Sequence, residues 1–215
     1  MLWLCAASAG GHAQLPHDVP DCEPQIVSVM AAKSEGATRP VAGWQAVILP
    51  DNWSQRWPDY DGTVWYRIDW QPGCVDTDNG DSPVGLVIES IIMAGAVYSE
   101  DTLLWRDRHL QEPLSRSWNS PRYWLLPASH LREGRVLWVR VAGVAAQTPG
   151  LGRVRLGSPE AMLTVMERAH WRTRTLPFIN LVVSAVLGFL ALFIWLAFRS
   201  QRVFGWYAVT AFCWV

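Results

Sequence analysis

Between Pro177 and Phe198 the chain carries no charged residue, and only Asn180 and Ser184 interrupt an otherwise apolar run. At 1.5 Å per residue, a stretch of about 22 residues matches a hydrocarbon core of about 30 Å. A soluble protein would need a large α-helical domain to bury such a helix on all sides, and the rest of the sequence does not read as one. The run therefore predicts a transmembrane helix over 177–198. Arg199 and Arg202 bound a short loop, 199–202. Val203-Phe204-Gly205-Trp206-Tyr207 then opens a second apolar run through Val215, expected to be the start of a second membrane helix.

A membrane helix needs an export route for whatever precedes it on the outer side. Met1 to Ala13 is a short apolar stretch running into Gly11-His12-Ala13, which reads as a signal peptide, 1–13, without the usual basic start. Two of the four cysteines, Cys22 and Cys74, fall in the segment expected outside the membrane, where an oxidising compartment favours a disulfide between them; two separate thiols are the alternative. Basic residues flank both ends of the span, Arg168, Arg172 and Arg174 before it and Arg199 and Arg202 after it, so charge alone leaves orientation open. The signal segment, the cysteine pair and the tight turn into the next apolar run place 14–176 in the periplasm of a bacterium, with the span in its inner membrane.

The exported part reads as β structure. Val64, Tyr66, Ile68 and Trp70 alternate with Trp65, Arg67 and Asp69, and Leu137, Val139 and Val141 alternate with Trp138 and Arg140. Period two marks half-buried strands. Trp44–Leu49, Val84–Ile92, Gly95–Tyr98, Leu103–Trp105 and Tyr123–Leu126 are further strand candidates. Turn-forming residues at Pro50-Asp51-Asn52, Asp61-Gly62, Asn79-Gly80, Glu133-Gly134 and Pro149-Gly150 separate them. Many short strands with no helix between them predict an antiparallel β-sandwich over 14–157. At Ser158-Pro159-Glu160 a capping residue, a proline suited to a first helical turn and an acid at the positive helix end predict a juxtamembrane helix over 158–176.

Several functions are disfavoured. A formal net charge of −1, with no basic run away from the membrane flanks, gives no field for nucleic acid. The five histidines have no metal-ligand spacing, and Asp76 to Asp81 departs from a calcium loop in the position of its glycine and of its bidentate acid. Carboxylate pairs such as Asp59 with Asp61 and Asp76 with Asp78 sit in turns, where Asp serves the backbone. No catalytic residue, metal or cofactor is expected.

Trp44 to Trp53, with its Leu49-Pro50 turn, followed by Gly62-Thr-Val-Trp-Tyr-Arg67, is similar to the opening of galactose-binding-like jelly-roll domains. Ile92 to Tyr98 and Pro127 to Val141 resemble later strands of that fold, although Ser99-Glu100-Asp101 stands where such domains carry an Asn-Gly turn. The order of jelly roll, Leu114 to Trp124, Pro149-Gly-Leu-Gly152, helix, span, short Arg loop and Phe204-Gly-Trp-Tyr207 resembles bacterial receptors with seven transmembrane helices and diverse intracellular signalling modules. That resemblance implies a periplasmic sensor signalling to a histidine kinase or diguanylate cyclase module.

Aromatic rings stack on sugar faces, while carboxylates, amides and Arg orient hydroxyls or acidic groups. Two loop regions carry both kinds of group: Asp51, Trp53 and Trp57 in one, and Trp118, Asn119, Arg122 and Trp124 in the other. They are the candidate ligand-binding residues, expected at one end of the sandwich. The expected partners are a small molecule, with carbohydrate as the leading class, membrane lipid, and a second copy of the receptor. A protein-interaction domain without a small ligand and, less favoured, an exported carbohydrate-active enzyme are the alternatives.

Overall fold

A computed structural model describes residues 23–73, 83–118, 120–127 and 135–213. The signal segment, Cys22, Cys74, the calcium-like loop and Asn119 lie outside the described residues, and with them the expected disulfide.

The strands are β1 (Gln25–Ser34), β2 (Gln45–Ala46), β3 (Asp51–Asn52), β4 (Gly62–Gln71), β5 (Val84–Ile88), β6 (Ile91–Ile92), β7 (Ala94–Ser99), β8 (Thr102–Arg106), β9 (Arg122–Leu126), β10 (Val136–Gly143), β11 (Gly150–Leu151) and β12 (Val154–Gly157). They form a six-stranded sheet of order β2-β1-β4-β10-β7-β8 and two three-stranded sheets, β3-β11-β6 and β12-β5-β9. All pairings are antiparallel.

The core lies between the large sheet and the two small ones, because alternation on β4 and β10 sends Val64, Tyr66, Ile68, Leu137, Val139 and Val141 inward. There they meet Leu86, Ile88, Leu126 and Leu151 from the opposite layer. The expected two-faced reading of β4 and β10 is thus the one the sheet adopts. The other face of β4 carries Trp65, Arg67 and Asp69. Trp65 is nevertheless only 2% exposed, since Tyr98 and Trp138 pack against it and Arg39 lies over all three rings.

Several expected boundaries change. Val84–Ile92 is two strands in different small sheets, β5 and β6. Trp44–Leu49 contributes only a two-residue edge strand. Pro50-Asp51-Asn52, read as a turn, places Asp51 and Asn52 in β3, paired with Leu151 and Gly150. β1 is a ten-residue strand with no clean alternation in sequence, because a bulge between Ile26 and Ser28 shifts its register against β4.

Beyond the sandwich, α1 (Pro159–His170) leads through a π-helical turn, Trp171–Thr175, into α2 (Leu176–Ala197). The path from Pro159 to Ala197 is one helix of 39 residues, long and apolar enough by length and composition to cross a membrane. Proline occupies the first turn and Glu160 its positive end as expected, but the Ser158 hydroxyl makes no capping bond; its carbonyl accepts from the Met162 amide instead. α3 (Arg202–Cys213) folds back along α2, with Phe212 edge-on to Phe189 at 5.0 Å.

α1 docks on the β12-β5-β9 layer. Met162 is buried, and a Cβ at Gly85 would stand 2.8 Å from its Cβ, while one at Gly157 would stand 2.9 Å from its Cε. At Gly85 a side chain would meet the Met162 Cβ and the Pro159 backbone, so glycine there lets the helix approach so closely, whereas at Gly157 only the movable Met162 methyl is in the way. Tyr123 Oη donates to the Pro159 carbonyl at 3.3 Å.

Candidate functional site

The two loop regions singled out from sequence fall in different small sheets, and no hydrogen bond, ion pair or ring contact joins them among the described residues. Asp51 pairs across Leu151 with Ile91, and Arg122 opens β9 opposite Ile88. In each region, however, the charged candidate is already paired within the protein.

Asp51 is buried. Its two carboxylate oxygens accept from Arg56 Nη1 and Nη2, both at 2.6 Å, and Oδ2 also accepts from Tyr66 Oη at 2.7 Å. The bond to Asp51 raises Arg56, and burial, reinforced by the Asp51 charge, pushes the Tyr66 phenol up. Trp53 is 0% exposed and edge-on to Tyr60. It belongs to the core and has no surface to offer a ligand, which corrects its assignment as a binding residue. Trp57 is partly buried against Tyr60, with Lys33 and Arg56 over its ring at 5.3 and 5.0 Å.

Arg122 is equally committed. It donates to Ser117 Oγ at 2.6 Å and to the Ser120 carbonyl at 3.0 Å, and stacks on Trp105 at 4.1 Å. Burial lowers it, opposed by the charge of Asp107, whose Oδ2 lies 3.8 Å away. Asp107 in turn accepts from the Gly95 amide and from Ser117 Oγ. Trp124 packs on Trp105, and Trp118 is 57% exposed. Of the candidates within the described residues, Trp118 alone presents most of its surface to solvent.

Asp59 and Asp61 line a shallow cleft beside Ala145 and Ala146. Asp61 Oδ1 accepts from the Ala145 amide at 2.6 Å, a backbone role. Among the described residues no group of His, Cys, Asp and Glu could hold a metal ion.

Among the described residues, buried side-chain atoms without a hydrogen-bond partner occur in two places: Trp53 Nε1, Ser54 Oγ and Arg56 Nε beside Asp51, and Trp65 Nε1, Trp138 Nε1 and Arg140 Nε on the outer face of the large sheet. Strand register sets Trp65, Arg140, Ala96 and Arg106 in one row across β4, β10, β7 and β8. Ala96 carries only a methyl between the two arginines. With Arg108, His109, Glu112 and the Gly36-Ala37 loop, Arg106 and Arg140 line a cleft of about 410 Å³. Arg140 Nε is buried and has no hydrogen-bond partner, and burial lowers its guanidinium from the ordinary value. Asp107 borders this cleft too, but its charge is taken up by Arg122 and Ser117. A concave site lined by three arginines against one unpaired carboxylate, Glu112, has an excess of positive charge, which suits an oxyanion. In sequence, the outward position of Arg140 was readable from alternation. The neighbouring of β8 and β10 across β7, which brings Arg106 to it, was not.

No protein-family model matches the chain, and no curated protein matches it. Solved structures of similar shape include a glycosyl hydrolase family 2 member from Bacteroides cellulosilyticus, at 16% identity and a TM-score of 0.44, covering 62% of this chain and 20% of that one. A second structure of a family 2 member from the same organism gives 14%, 0.43, 63% and 20%. A β-glucuronidase from Faecalibacterium prausnitzii gives 14%, 0.35, 57% and 21%. The chain thus spans about a fifth of the length of each of these structures, and the likeness is one of partial β architecture. What stands for this chain is a mainly antiparallel β domain joined to a helix long and apolar enough to cross a membrane.

Proposed function

We propose that the chain is the extracytoplasmic sensing region, with the first membrane segments, of a bacterial inner-membrane receptor of the seven-helix class that it resembles in sequence. The β domain, a galactose-binding-like jelly roll on this reading, binds a small acidic ligand of the carbohydrate class in the cleft between Arg106 and Arg140. Occupancy biases the helix that leaves the domain, and that helix relays the bias to a histidine kinase or diguanylate cyclase module.

The observation that carries this reading is the unbroken helix. Met162 seats α1 against Gly85 of the sandwich, and the same helix continues to Ala197. A flexible linker would dissipate any change in the β domain, whereas a docked continuous helix transmits it as a rigid displacement.

Thermal-shift screening of the chain in nanodiscs against neutral sugars, sugar acids and dicarboxylic acids tests the proposal. Stabilisation by a sugar acid, abolished in Arg140→Ala, is the expected result. A flat screen accompanied by concentration-dependent dimerisation would replace it with the protein-interaction reading.

A further inference from the structure

The basic residues that flank the outer end of the span have no part in the cleft just described, and two of them, Arg168 and Arg172, share a second one with Arg153 and Arg155 of the sandwich. Between the sandwich and the helix lies a cleft of about 470 Å³, lined from the sandwich by Glu89, Arg153 and Arg155 and from the helix by Arg168 and Arg172. Arg155 Nε faces Glu89 Oε1 at 3.4 Å, which cancels one pair of charges. Arg153, Arg168 and Arg172 are exposed and make no ion pair among the described residues, so three guanidinium groups border one space whose single carboxylate, Glu89, is already paired.

Depth decides what could meet them. Arg172 precedes Leu176 by four residues and Arg168 by eight, so at 1.5 Å per residue they stand about 6 and 12 Å above the first apolar residue of α2. The polar headgroup layer of a bilayer is about 5 to 7.5 Å thick on each side. The Arg172 backbone is therefore at the outer edge of that layer and that of Arg168 about one helical turn beyond it, so that Arg168 meets a headgroup only by extending its side chain toward the membrane. Trp171, beside them, is 54% exposed, as suits an aromatic residue at the water interface. The cleft is far larger than a bare phosphate requires and has room for a phosphodiester with its glycerol.

We propose that this cleft holds the headgroup of an anionic phospholipid, with Arg168 and Arg172 gripping the phosphodiester from the helix and Arg153 from the sandwich. The lipid would bridge the two parts of the molecule at the point where the helix leaves the β domain, and so set how firmly that junction is held. The inference rests on the reading of Pro159–Ala197 as a membrane-crossing helix.

Hydrogen exchange on the chain in two kinds of nanodisc tests it: neutral phosphatidylcholine, and phosphatidylcholine mixed with phosphatidylglycerol. Amides of Gly152 to Arg155 and of α1 should exchange more slowly in the anionic discs, by about fivefold for each arginine that engages. The triple variant Arg153→Gln, Arg168→Gln, Arg172→Gln should lose the difference while keeping the same exchange in neutral discs. Inorganic phosphate or glycerol phosphate added to neutral discs should not reproduce the effect; if either does, the site is for a soluble anion and the lipid proposal fails. It also fails if the cleft amides are indifferent to lipid charge while α2 is protected in both discs. Absence of protection of α2 in either disc would instead overturn the membrane-crossing reading.

Discussion

Arg122 opens β9 and Arg140 lies inside β10, and the structure treats the two arginines in opposite ways. Arg122 is 8% exposed, donates to two neighbours and covers a tryptophan ring. Arg140 is half-buried with a buried nitrogen that bonds to nothing. The same contrast separates the two regions around them. Around Asp51 and Arg122 the carboxylates are paired, Asp51 with Arg56 and Asp107 with Arg122, although Arg56 Nε too is left without a bond, whereas the outer face of the large sheet leaves Arg106 and Arg140 without an ion pair among the described residues beside a cleft, across an alanine. A buried polar group without a partner costs free energy that packing alone does not return. Closed networks are therefore what a fold needs, and open ones are where a ligand can contribute most.

The largest expected effect lies in the closed region. Asp51→Ala would strand the Arg56 guanidinium and the Tyr66 hydroxyl in a mostly buried site. Breaking a buried pair in this way costs about 3 to 5 kcal/mol; Arg56 keeps a quarter of its side chain in solvent, which puts the loss near the lower figure. Chemical denaturation of the variant would measure it. A loss below about 1 kcal/mol would mean that the Asp51 cluster is not a structural unit, and would return Asp51 to the candidates for ligand contact.

How these regions were visible in sequence differs in an instructive way. Alternation along β4 and β10 specified which residues face the core, and the apolar run from Pro177 specified a helix, because both patterns are local and strictly periodic. Trp53 and Arg122 drew notice as Trp and Arg in turn-rich segments, which is also the signature of a residue used to pack or pin a loop. Sequence could not separate the two roles, because the distinction rests on residues brought together by the fold: Gly143 and Pro149 around Trp53, and Asp107 beside Arg122. Likewise, the Arg140 cleft depends on strand order, which no single strand encodes. β1 was hidden by its bulge, where one extra residue erases the period on which recognition depends.

The next effect is a dependence on alkaline pH. Burial and the Asp51 charge raise the Tyr66 phenol above its ordinary value, so the folded chain keeps a proton that the unfolded chain releases. That contribution to stability is complete below the unfolded value of about 10 and is lost as pH rises above it, at up to about 1.4 kcal/mol per pH unit. Tyr66→Phe should flatten the alkaline limb of a stability profile even as it lowers stability at neutral pH through the lost bond to Asp51. An unchanged alkaline slope would mean that Tyr66 is not buried against a charged Asp51, and the contrast between a paired cluster and an open face would lose its firmest anchor.

The smallest effect is expected at Arg140, and its smallness is the point. Its guanidinium makes no ion pair among the described residues, and its buried Nε has no bond to lose. Arg140→Leu keeps the stem's contacts with the sheet, removes a desolvated nitrogen and should shift unfolding free energy by no more than about 0.5 kcal/mol in either direction. The matched change Arg122→Leu removes a guanidinium that pins Ser117 and Ser120, and it should cost more, on the order of 2 kcal/mol, through the partners it leaves unpaired. Measuring both variants by denaturant titration compares the regions directly. Equal losses would show that Arg140 has a structural partner after all, and the cleft beside it would then be as closed as the surroundings of Arg122.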